Sequence, residues 1–410
     1  MKIMIKITLI LLSIFTFSAC SFLDLKEDLD KQSKLVKITG TIKHKENHDA
    51  NMIVALIKIN NSYPSVVNYR VLKNKSKFSF IAEPGLYRVM AYLDSNANVK
   101  YEEDELLVSS KAINLKIGEI NVDLVLDSLA SKSLSKEVKQ IKQSGTKDLR
   151  QSHLTLGNIV SLDSKMFSEE NVKKGLWQPY EFVSTVEFGL FFLEEYNPDK
   201  KIILFIHGIN GNPRNFKYII DNLDHSKFQA MILYYPSGLS ISMIADYTKD
   251  TVKILQAQYK FDKISVVAHS MGGLTSRRYL NLLAEDDDDL VDTFISISTP
   301  WSGHAAANSG LKYSPLIIPV WRDMATGSDF IADLFKTPLN STKHYLLFGY
   351  KGSSSTADGN SDGVVSIKSE LRAEAQVGAT FVRGFNENHN DILNSKDVSK
   401  LVNKLLEKEL

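Results

Sequence analysis

A doubly wound, mostly parallel α/β sheet preceded by a small β-sandwich-like domain is the fold class this sequence predicts. Three observations carry it. Between Lys201 and Gly349, four continuous apolar runs each end in a loop rich in Gly, Ser, Asn or Pro. Amphipathic stretches such as 243–259 and 273–283 lie between those runs. Upstream, 35–126 holds short strand-like runs at near-regular spacing. Continuous apolar runs fit strands buried on both faces, strand–helix alternation fits parallel crossovers, and short runs split by turns fit a sandwich.

The first long run, Lys201 to Ile206, passes into His207-Gly208-Ile209-Asn210-Gly211-Asn212-Pro213. The second, Ile264 to Ala268, passes into His269-Ser270-Met271-Gly272-Gly273. The third, Thr293 to Ile297, ends in Ser298-Thr299-Pro300-Trp301-Ser302-Gly303, and the fourth, Tyr345 to Gly349, precedes a Ser/Gly/Asp-rich loop. In such sheets, sites form at the carboxyl ends of strands, which is where these unusual residues fall. The apolar stretch Leu316 to Trp321 reads equally as a cap or acyl pocket and as core.

In the upstream module, Val36 to Thr39, Ile53 to Ile57, Phe78 to Phe80, Tyr87 to Tyr92 and Val122 to Val125 are the strand-like runs. The pattern around Gly85-Leu86-Tyr87 and Asp94 resembles transthyretin-like and carboxypeptidase-regulatory-like modules. Asp94, Asn96, Asn98 and Glu105 have the spacing of a calcium loop, but Val99 stands where that loop needs Gly. They are read as a hairpin turn. Residues 127–174 form a linker and lead-in, helical over 131–143, and the four acids Asp286 to Asp289 are read as a solvated loop.

At the other end, Lys2 and Lys6 precede an apolar run, Ile7 to Phe17, that closes on Ser18 and Ala19. That is the pattern of a signal peptide, 1–19, too short for a comfortable membrane span. Phe17-Ser18-Ala19-Cys20 resembles the lipobox of bacterial lipoproteins. The resemblance implies lipidation at Cys20, a polar tether over 20–34, and a membrane-anchored place in a bacterial cell envelope, at the outer membrane in a Gram-negative cell.

Composition narrows the classes. The 410 residues are 43% hydrophobic and 24% charged, as for a globular chain of two or three domains. Net charge is +1, and without residues 1–19 there are 47 basic against 48 acidic residues. No basic excess speaks for nucleic acid. The single cysteine excludes an internal disulfide. P-loop, dinucleotide and metal motifs are lacking, so no cofactor or metal is implied. Oligomeric state is not set by the sequence.

Chemistry concentrates at three separated places. Ala268-His269-Ser270-Met271-Gly272 fits a sharp strand-to-helix turn that lifts the Ser270 oxygen clear of the sheet, with small residues two before and two after it. An acid and a histidine must follow in that order. Asp362, in Asn360-Ser361-Asp362-Gly363-Val364-Val365, is the preferred acid, because Val364 and Val365 would anchor its loop, and Asp358 is its competitor. His389 alone of nine histidines lies beyond Asp362. Asp391 lies awkwardly close to His389 for the same task, and His207 reads as a structural hydrogen-bonder.

Together with Ser298-Thr299-Pro300-Trp301 and Tyr235-Pro236-Ser237-Gly238, these pieces resemble the bacterial lipase and esterase branch of the α/β-hydrolases, over 175–410. The resemblance implies a Ser270–Asp362–His389 triad, an oxyanion hole from the Ile209 and Met271 amides, and hydrolysis of a lipid-like or other acyl ester through an acyl-Ser intermediate. Acyl transfer by the same triad and action on amides stay open, as does a non-catalytic envelope binding module with this fold.

Overall fold

A computed structural model describes residues 23–44, 50–59, 65–72, 76–96, 101–102, 105–126, 154–339, 341–353 and 359–408. The signal segment, Cys20, Asn98, the 131–143 stretch and Asp358 lie outside them.

The N-terminal module is two facing sheets built from β1 (Val36–His44), β2 (Asn51–Lys58), β3 (Ser65–Leu72), β4 (Ser76–Ala82), β5 (Gly85–Asp94), β6 (Leu107–Ser109), β7 (Ile113–Leu115), β8 (Gly118–Asn121) and β9 (Leu124–Leu126). One sheet runs β4-β1-β8 with β9 also on β1, and the other runs β3-β2-β5-β6 with β7 on β5. The alternation along β2 explains its six consecutive buried residues. Met52, Val54 and Leu56 enter the core between the sheets, while Ile53, Ala55 and Ile57 face the other way and pack with Ile254 and Ala257 of the helix Ile241–Tyr259. The module is thus packed onto the C-terminal body. In the hairpin between β5 and β6, the buried Glu105 carboxylate accepts the Ser95 and Glu102 amides. Among the described residues, no cluster of acids and histidines suited to a metal is present.

The C-terminal body is an eight-stranded sheet with helices on both faces. Its strands are β10 (Leu154–Ile159), β11 (Phe188–Phe192), β12 (Lys201–Ile206), β13 (Phe228–Tyr234), β14 (Ile264–His269), β15 (Val291–Ile297), β16 (Lys343–Gly349) and β17 (Phe381–Phe385). They lie in the order β10-β11-β13-β12-β14-β15-β16-β17. Only the β11–β13 pair is antiparallel. The four runs read from the sequence are β12, β14, β15 and β16, buried nearly throughout. From β12 the chain moves outward to β13, and from β14 it moves the opposite way to β15. The ends of β12 and β14 therefore flank the switch point of the sheet, where the departing loops leave a crevice.

Three features differ from the sequence reading. Residues 23–33, read as tether, form a helix on the body: Leu25 is buried in the main core, and Asp28 accepts the Tyr180 and Glu181 amides that open the helix Pro179–Thr185. A short helix offering only Leu25 and Leu29 to the core carries too few apolar positions to announce itself. The sheet also begins before 175, since β10 belongs to it. The acids 286–289 are not simply solvated: Asp286 pairs with Lys249, Asp288 with the buried Lys253, and Asp289 with Lys263. No described helix is long and apolar enough to cross a membrane.

Candidate active site

The local fold of Ser270 is dictated by close packing at the end of β14. Its backbone sits at φ 54° and ψ −128°, a conformation costly to a residue with a Cβ, between the strand and the helix Met271–Glu285. A Cβ on Gly272 would lie 2.2 Å from the Ile206 carbonyl oxygen, and one on Gly208 would lie 2.9 Å from the Ser270 Cβ. The elbow therefore fits only because both are glycine. Neither the Ile209 nor the Met271 amide donates to a protein acceptor among the described residues. Two preset donors are left beside the serine, one of them at a helix N-terminus.

His389 follows β17 and precedes the short turn Asp391–Asn394. Its Nδ1 bonds the Asp362 Oδ2 at 2.5 Å, and its backbone amide donates to the Asp362 carbonyl at 2.9 Å. The other carboxylate oxygen accepts the Val364 and Val365 amides at 2.9 and 2.7 Å. Burial of Asp362 opposes its charge. His389 and the two amides outweigh that and hold the carboxyl below its ordinary range. The two valines thus anchor the loop chiefly through their backbones, and of their side chains only Val365 is buried. Asp391 instead accepts from the Asn388 amide side chain, at 2.5 Å.

Three further histidines near the site act as structural supports. His207 stacks on Tyr235 at 4.1 Å between ring centres, and its Nδ1 meets the Gly208 carbonyl at 2.9 Å. Burial lowers its pKa to about 4, which suits a neutral ring. His269 is equally buried, and its Nε2 donates to the His389 carbonyl at 2.8 Å. Burial, with the nearby His389, brings it to about 3. His304 spans two walls: Nε2 donates to the Val364 carbonyl at 2.9 Å while Nδ1 accepts the Ala306 amide that opens the helix Ala305–Tyr313.

These groups meet at a cleft of about 410 Å³ lined by Ser270, His269 and His389. Pro300, Ala307, Trp321, Met324 and Val364 form an apolar side, while Asn210, Asn215 and Asn390 are polar lining residues. Among the described residues, no Lys, Arg, Asp or Glu lines it. The stretch 316–321 divides between core and cleft, with Ile318 and Val320 in the core and Trp321 at the cleft. His269, His304 and a buried carboxyl, Glu370, escaped the sequence reading. A histidine directly before the elbow serine was a signal for the first, and nothing in the spacing marks the other two.

Residues 238–409 match a family described as alpha/beta hydrolase of unknown function (DUF915). Among solved structures, the chain is similar to the mature Bacillus licheniformis lipase BlEst2, at 17% identity over 51% of this chain and 92% of that one, with a TM-score of 0.41. It is similar to Aspergillus fumigatus lipase B at 15% identity over 53% and 56%, TM-score 0.39. Phospholipase PlaB of Legionella pneumophila, solved with thio-NAD, matches at 19% identity over 42% and 44%, TM-score 0.35. No curated protein sequence matches the chain.

Proposed function

From the premise that the C-terminal body has the α/β-hydrolase fold, we propose that the chain is a serine ester hydrolase of the lipase and esterase kind. One observation carries this: an elbow serine shares a cleft with a histidine whose far nitrogen is bonded to a buried, ionised aspartate.

In this reading Ser270 attacks the ester carbonyl while His389 takes its proton. The Ile209 and Met271 amides receive the negative charge that develops on the carbonyl oxygen. His389 then protonates the leaving alcohol, and water releases the acyl group by the same steps in reverse. Asp362 fixes the imidazole tautomer and stabilises its cation. A cleft apolar on one side, with no charged side chain among its described lining residues, favours an uncharged acyl ester over a substrate with an ionised head.

Tethering through Cys20 is part of the proposal. The helix 23–33 packs on the body only three residues after that cysteine. An acylated Cys20 would hold the enzyme within about 10 Å of its bilayer.

The test is hydrolysis of short and long p-nitrophenyl esters by residues 21–410, beside Ser270→Ala. A loss on the order of 10⁴–10⁶ in turnover establishes the nucleophile. Turnover that survives the substitution, or none on either ester, removes this reading in favour of a binding role.

A further inference from the structure

Glu370 closes the helix Ile367–Glu370 and is fully buried. The chain doubles back to bring it there. Ser361 and Ser366 pair across the loop, and the Ile367 amide bonds the Asn360 carbonyl. Neither carboxyl oxygen meets a partner at full hydrogen-bond geometry. The polar groups beside them are the Asp362 carboxylate, the Ser298 hydroxyl and the Gly349 amide.

No cation compensates this acid among the described residues. Arg372, two residues on, turns its guanidinium to Glu374 at 2.7 and 3.0 Å. The His389 imidazole is bonded to Asp362 instead. The one charge facing Glu370 is therefore a carboxylate, and two carboxylates in contact out of water do not both ionise. Asp362 has two amides and an imidazole to hold its charge, and Glu370 has far less. The shared proton belongs on Glu370.

We infer that Glu370 stands behind Asp362 as a neutral carboxylic acid and gives its O–H to the Asp362 carboxylate, making it a positioning residue for the His389–Asp362 pair. The inference rests on the triad reading above. A carboxylate has about four lone-pair sites. Val364, Val365 and His389 occupy three. A donor at the fourth fixes the carboxylate plane and lowers its basicity, so the proton from Ser270 stays on His389. An ionised Glu370 would instead repel Asp362 and loosen the loop. Burial, then the charge of Asp362, push the Glu370 carboxyl up to about 10, which keeps it neutral at neutral pH.

The sign of the pH effect follows. The folded chain keeps a proton that the unfolded chain releases between about pH 4.5 and 10, so wild-type stability drains away across that window. Glu370→Gln removes that loss and keeps a neutral donor. The experiment compares wild type, Glu370→Gln and Glu370→Ala in the full chain, by melting temperature from pH 5 to 9 and by kcat and KM on a p-nitrophenyl ester. The Gln variant should keep kcat within about threefold, and its melting temperature should gain on wild type as pH rises. The Ala variant should lose about tenfold or more in kcat with little change in KM. Equal losses in Gln and Ala, a melting difference flat with pH, or an undiminished Ala variant would each overturn the inference. Should Gln fail to fold, infrared spectra of the wild type decide it: a protonated-carboxyl band must persist at pH 8.5, and its absence defeats the proposal. The melting and infrared readings need no turnover, so they separate failure here from failure of the esterase reading.

Discussion

The Asp28 carboxylate accepts the Tyr180 amide at 3.0 Å across 152 residues of sequence, joining the first described helix to the opening of another. Its other oxygen takes the Glu181 amide at 2.6 Å, and Lys31 pairs with Glu181 beside it. This is a helix cap supplied from outside the helix. Pro179 occupies the first turn and the preceding Gln178 makes no side-chain cap of its own. Asp28→Ala should therefore cost about 1–2 kcal/mol in thermal or denaturant unfolding, and Asp28→Asn less, because the amide oxygen still accepts. An unchanged melting temperature in the Ala variant would mean the 23–33 helix is not docked in solution.

The same contact shows where the sequence was opaque. Strands β12, β14, β15 and β16 were legible because burial on both faces demands unbroken apolar runs, and no other element of that length reads the same way between turn residues. Ser270, Asp362 and His389 were legible as candidates because serine-nucleophile chemistry demands a fixed chain order and small neighbours at the turn. The 23–33 helix was not, since its contribution is one buried leucine and one capping carboxylate. Glu370 was not either, because an acid near a helix end is ordinarily exposed, and only the doubling back of 360–367 buries it. The acids 286–289 look like a solvated run until their lysine partners on Ile241–Tyr259 come alongside in three dimensions.

His269 is expected to act through the backbone of His389, the proposed base. Its Nε2–H fixes the His389 carbonyl, and the two rings lie 4.7 Å apart. His269→Ala should lower kcat about tenfold, the worth of one buried hydrogen bond, with KM nearly unchanged. His269→Gln, which retains an N–H at similar reach, should recover much of that. A KM effect in place of a kcat effect would assign His269 to substrate contact at the cleft wall.

Asp362 yields a paired prediction in rate and in stability. Asp362→Asn should reduce kcat on the order of 10⁴-fold, because the imidazole loses the acceptor that sets its tautomer. Its carboxyl is held below the ordinary 3.8, so it contributes stability present above that value and lost as pH falls through the lower folded value. Wild-type melting temperature should therefore drop on acidification below about pH 4, and the Asn variant should drop less steeply there. Parallel acid limbs would mean that another carboxylate governs acid unfolding.

The contact between the two domains carries its own pH dependence. Arg70 of β3 reaches Asp250 of the helix Ile241–Tyr259 at 2.5 Å, with both side chains largely shielded. Around the pair, Ile53, Ile57, Met90 and Leu107 cover Ile254 and Ala257, so the N-terminal module buries apolar surface of the C-terminal body. Burial raises the Asp250 carboxyl to about 6 although Arg70 pulls the other way. A raised folded value means that holding Asp250 ionised costs stability, a cost that sets in as pH rises from 3.8 to about 6 and persists above it. Removing the cation makes the cost larger. Arg70→Ala should destabilise the chain by about 3 kcal/mol at pH 8 and by much less at pH 5, where Asp250 takes a proton instead. Asp250→Asn in the Arg70→Ala background should remove most of the difference between the two pH values. Denaturant titrations of the three proteins at both pH values decide it, and a loss equal at pH 5 and pH 8 would show that Arg70 acts by packing on Phe80, whose ring centre lies 4.9 Å from its guanidinium, rather than by its charge.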